Sequence, residues 1–117
     1  SLNGPDALDG PSRTRVGAPA VDAQLGDKYL LDHLPGTFTL LCIDTPAPEI
    51  AALDGVPVTH LSLSAQDHPV LQDRYLGQND SAVYLIRREQ HVVARWPSAT
   101  EAEIRAAMRT ALGKGPG

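Results

Sequence analysis

Cys42 is the one thiol in the chain. A thiol serves as nucleophile, redox centre or metal ligand only as its thiolate. Cys42 stands inside the apolar run Thr37-Phe-Thr-Leu-Leu-Cys-Ile43, where burial raises the pKa and blocks access. The simpler role is a small core residue. The four histidines, His33, His60, His68 and His91, stand at no His-x-x-x-His or Cys/His ligand spacing. Asp44 and Glu49 form a candidate acidic pair, but helix capping accounts for them more simply. Gly-x-Ser-x-Gly, Gly-x-Gly-x-x-Gly and the phosphate-binding P-loop are all missing. The sequence therefore assigns no catalytic, cofactor-binding or metal-binding residue. What remains is Arg87, Arg88, Arg95 and the lone Trp96. Charges there suit a solvated edge strand. Arginine and tryptophan also suit a docking edge, so Arg87, Arg95 and Trp96 are the candidate interface residues.

These residues lie on elements that the pattern marks out. Residues 1–20 are rich in Gly, Pro, Asp, Ser and Arg. They read as a linker or arm that buries too little apolar surface to offset its ordering entropy. A domain then spans 21–113, and 114–117 form a disordered tail. Asp27 is placed to cap a helix over 28–34 that Pro35-Gly36 ends. Residues 37–43 read as a strand buried on both faces. Asp44 or Thr45 is placed to cap a second helix carrying Pro46, Ile50 and Leu53, with Gly55 as its stop. Residues 57–64 form a second strand, with Thr59, Leu61 and Leu63 on one face. Pro69 opens a helix carrying Val70, Leu71 and Tyr75, which Gly77 closes. Strands over 82–87 and 91–96 follow, joined by so short a turn that they must pair antiparallel. In the last helix Thr100 and Glu103 match a capping box. Ile104, Ala107, Met108, Ala111 and Leu112 share its apolar face.

The order is β-α-β-α-β-β-α with an extra helix in front. It predicts an α/β, thioredoxin-like fold: a mixed central sheet with helices on both faces. Redox chemistry on that scaffold needs a cysteine at the start of the helix after the first central strand, where the helix dipole stabilises the thiolate. Here that segment is Asp44-Thr45-Pro46-Ala47-Pro48-Glu49. The proline that thioredoxins place before the third strand is replaced by Asp80-Ser81. The scaffold is expected without the activity.

Composition sets outer bounds. Hydrophobic residues at 42% allow a core, and aromatics at 4% make it one of Leu, Val, Ile and Ala. A net charge of -4 without a basic run argues against a nucleic-acid partner. No apolar run reaches the roughly 20 residues of a membrane span. One cysteine forbids an internal disulfide, so a cytoplasmic setting fits. Eight arginines against two lysines point to a GC-rich bacterial genome.

Three segments carry a family resemblance. They are Arg15-Val-Gly-Ala-Pro-Ala-Val-Asp22-Ala-Gln-Leu25, Gly36-Thr-Phe-Thr-Leu-Leu41, and Tyr84-Leu-Ile-Arg87 with Gln90-His-Val-Val-Ala-Arg-Trp96. The chain resembles the C-terminal thioredoxin-like domain of FAD-dependent aromatic-ring hydroxylases. These are the class A flavoprotein monooxygenases related to phenol hydroxylase, hydroxyphenylpropionate hydroxylase and polyketide hydroxylases. Arg88-Glu89 stands where the family more often has Pro-Asp. The resemblance implies a parent enzyme with FAD-binding and substrate domains, using FAD, NAD(P)H and oxygen. This chain would be its non-catalytic module, serving packing or homo-oligomer formation. Two other readings stay open at this level: a free-standing thiol protein using Cys42, and a stand-alone interaction domain.

Overall fold

The computed structural model describes residues 4–22, 24–25, 28–30, 38–46, 48, 50, 52–53, 55–87 and 91–113. Nearly continuous apolar residues in extended segments build the centre. The strands are β1 (Gln24–Leu25), β2 (Lys28–Tyr29), β3 (Phe38–Ile43), β4 (Ala52–Leu53), β5 (Val56–Leu63), β6 (Ala82–Arg87) and β7 (Val92–Trp96). β1 and β2 form a small hairpin; the other five make one sheet in the order β4-β5-β3-β6-β7. β3 runs parallel to β5 and antiparallel to β6, and β6 antiparallel to β7. The fold is thus α/β with a mixed five-stranded sheet and few helices.

The pleat divides the core into two layers. Leu41, Ile43, Tyr84 and Ile86 join Leu71, Tyr75 and Leu76 of the helical turn that ends in the π-helical stretch Gln72–Leu76. Phe38, Leu40, Cys42, Val83 and Leu85 join Ile104, Ala107 and Met108 of α1 (Glu101–Ala111). All six residues of β3 are buried, as its near-continuous apolar run predicts. α1 starts with the expected capping box: Glu103 N–H donates to Thr100 Oγ1 at 3.2 Å, and Thr100 N–H donates to Glu103 Oε1 at 3.0 Å. A bulge in β7 opposite Leu85 and Ile86 puts Val93 and Ala94 in the same layer.

One expected helix is corrected at its start and another over its described residues. Of the helix expected over 28–34, Lys28 and Tyr29 are strand, paired to Leu25 and Gln24, and Leu30 is in a 3-10 turn; residues 31–34 lie outside the described residues. Antiparallel pairing of β1 with β2 leaves no room for a helix that starts at Lys28. The helix after Asp44 does not form in the described residues either. An N-cap has an extended backbone and bonds two or three residues ahead. Asp44 instead has φ 56°, and its Oδ2 accepts from Ala65 N–H at 3.1 Å. Thr45 Oγ1 donates to the Pro46 carbonyl at 3.3 Å. Further on, Ala52 and Leu53 pair with Pro57 and Val56. Gly55 turns that hairpin at φ 83°, a value glycine adopts freely.

The segment expected to bury little is the largest surprise. Leu8, Thr14, Ala18 and Ala20 are all buried. Residues 4–7 and 17–19 run along the outer edge of β7 as two limbs, bridging at Asp6 with Arg95 and at Pro19 with His91. Gly4 lies so close to Ala107 and Ala94 that a Cβ there would sit 3.0 and 3.2 Å from their methyls. The first limb therefore wedges between β7 and α1.

Candidate functional site

The densest polar arrangement is centred on Arg95. Its position on β7 turns the side chain to the Tyr84 layer, and only 5% of that side chain is exposed. Charge at such a depth needs partners. Arg95 Nε donates to Asp6 Oδ1 at 2.6 Å, and Nη1 donates to the Pro11 carbonyl at 2.7 Å. The Nη1 contact with Tyr84 Oη is longer, 3.5 Å. Burial alone would lower the guanidinium pKa; the Asp6 and Tyr84 hydrogen bonds outweigh it and raise the value.

Behind Arg95 lie two hydroxyls, Thr14 Oγ1 and Tyr84 Oη, 3.0 Å apart. Thr14 donates to the Arg74 carbonyl at 2.8 Å, and Tyr84 donates to the Tyr75 carbonyl. Two protons serve three contacts, so one is always made at another's expense. The rings of Tyr75 and Tyr84 meet edge to face with centroids 5.0 Å apart, and Tyr75 Oη donates to the Val21 carbonyl. Burial pushes both phenols up. Among the described residues every buried side-chain nitrogen or oxygen has a partner. The arrangement holds the N-terminal segment to the sheet.

The three predicted interface residues separate. Arg95 faces one layer, and its partners belong to this chain's own first residues. Trp96, 1% exposed, lies in the other layer with Met108 and Ile104. Arg87 ends β6, half-buried. Cys42 is buried in β3 beside α1, and burial pushes its thiol up to about 11. His60 Nε2 lies 2.9 Å from the Ile50 carbonyl and 3.3 Å from the Ile50 amide, pinning Ile50, which precedes β4, to β5. His68 and His91 lie elsewhere on the fold; His33 and Glu49 are outside the described residues. No group of three or more metal-binding side chains occurs among the described residues, and no described helix is long and apolar enough to cross a membrane.

Sequence reasoning noticed Arg95 but missed Asp6 and Thr14. The available signal was one of two aspartates, Asp6 and Asp9, in a Gly/Pro-rich arm, too common to read as the partner of an arginine so far along the chain.

No family model and no curated protein matches the chain. Solved structures do. The chain is similar to the flavin-dependent monooxygenase PieE, in complex with FAD and substrate, with a TM-score of 0.66 and 24% identity. That match covers 97% of this chain and 24% of PieE. It is also similar to native and K252c-bound RebC-10x, with a TM-score of 0.65 and 22% identity, covering 98% of this chain and 23% of that one. RebC soaked with K252c gives a TM-score of 0.62 at 23% identity, covering 94% and 22%. The chain spans about a quarter of the length of the proteins it matches, and at these identities the likeness is one of fold.

Proposed function

We propose that the chain is the C-terminal, thioredoxin-like module of a FAD-dependent aromatic-ring monooxygenase, and that it supports the body of that enzyme. The observation that carries this reading is the PieE match: nearly all of this chain, and about a quarter of a flavin-dependent monooxygenase. The hairpin Tyr84-Leu-Ile-Arg87 and Gln90-His-Val-Val-Ala-Arg-Trp96 supports the same reading from sequence. On it, FAD and NAD(P)H belong to the preceding domains of a cytoplasmic parent enzyme. Burial of Cys42 and its raised pKa speak against a thiol enzyme. Contact with the body falls to exposed side chains such as Tyr29, 48% exposed on the β1–β2 hairpin, and to Arg87, the expected interface residue with solvent access.

The test starts at the gene. Reading upstream of Ser1 should reveal an in-frame segment with a Gly-x-Gly-x-x-Gly fingerprint. The full product should purify with bound flavin and oxidise NAD(P)H faster when an aromatic substrate is added. A start codon near Ser1, or a flavin-free product, rejects the proposal. Stoichiometric FAD binding by the present chain alone would reject the division of labour.

A further inference from the structure

The outer edge of β7 is covered by the chain's own residues 4–19. Gly4 N–H donates to the Val93 carbonyl at 2.8 Å and Ala7 N–H to the Arg95 carbonyl at 2.9 Å; Arg95 N–H donates to the Pro5 carbonyl at 3.1 Å. In the second limb Gly17 N–H donates to the Val92 carbonyl at 2.8 Å, and Val92 N–H donates to the Ala18 carbonyl at 2.9 Å. The carboxylate of Asp6 joins the parts. Oδ1 takes the Arg95 Nε–H at 2.6 Å, and Oδ2 takes the Val16 N–H at 3.1 Å. One side chain thus ties the first limb, the second limb and β7 together. Arg95 Nη1 holds the turn between the limbs through the Pro11 carbonyl.

The rest of the sheet is held differently. β3 and β6 bury almost every side chain, whereas in residues 4–19 the buried apolar side chains are Leu8 and Ala18. A segment held mainly by polar contacts opens at lower free energy than an apolar core. We propose that residues 4–19 are an edge latch, closed by the Asp6–Arg95 pair, which opens independently of the sheet and then exposes the N–H and C=O groups of the β7 edge to solvent. The latch needs no parent enzyme.

Two variants test it by different routes. Asp6→Asn removes the charge at the junction, and Ala7→Pro removes the amide that donates to Arg95. Hydrogen exchange in the intact protein should show the Val92 and Arg95 amides exchanging about tenfold faster or more, with the β3 amides unchanged. Unchanged exchange in both variants overturns the latch. Equal acceleration in β3 overturns its independence.

Discussion

A buried guanidinium is a demand on its surroundings, and Arg95 has it met by a carboxylate and a carbonyl from the first eleven residues. Removing one partner of a buried pair costs about 3–5 kcal/mol because the other charge is stranded. Asp6 is a third exposed, so water recovers part of that cost. Arg95→Met should therefore destabilise by about 2 kcal/mol, read as a fall in urea midpoint. A change below the measurement error would show that the pair holds nothing. Tyr84→Phe deletes the hydroxyl shared by Thr14 and the Tyr75 carbonyl, an expected loss of about 1–2 kcal/mol. The two residues meet only at 3.5 Å, the limit of a useful hydrogen bond. The double variant should then be nearly additive, with a coupling of about 0.5 kcal/mol or less. A coupling several times larger would mean that Arg95 and Tyr84 act together.

Elements divide by how locally they are encoded. β3, β6, β7 and α1 were legible because a short, nearly continuous apolar run and a helix's cap are short-range signals. The capping box in α1 is such a signal, and Thr100→Ala should cost about 1 kcal/mol. That loss should appear as a shifted denaturation midpoint with unchanged slope; a change in slope would mean that more than the helix end is altered. The helix expected after Asp44 fails for the opposite reason. Asp44 looks like a cap until Ala65 claims its carboxylate, and that partner is fixed by tertiary structure. The latch was illegible on the same grounds: Asp6 and Arg95 are far apart in sequence, and composition alone makes residues 1–20 look unfoldable. Its apolar contribution is small, and its order comes from backbone bonds to an edge already formed. Of the candidate site, sequence marked Arg95 and Trp96 as unusual, but it could not show that they face opposite layers.

At the scale of the whole molecule, two apolar layers enclose three groups that would ionise in base. Cys42 is raised from 9.0 to about 11 by burial. Tyr75 and Tyr84 are raised above their ordinary 10.0, again chiefly by burial. A raised folded-state pKa means that the native chain keeps protons the unfolded chain has released. Stability from these groups is complete below about pH 9 and falls as pH climbs. For Cys42 the fall reaches on the order of 2–3 kcal/mol by pH 11, since a tenfold change in proton affinity is worth about 1.4 kcal/mol. Urea midpoints should therefore drop between pH 9 and pH 11, and Cys42→Ala should flatten part of that drop. Tyrosinate absorbance from the two buried rings should rise only with unfolding. A midpoint independent of pH through this range, or a Cys42→Ala profile parallel to the parent's, would mean that the thiol ionises within the intact fold and that the layer between β3 and α1 is open to water.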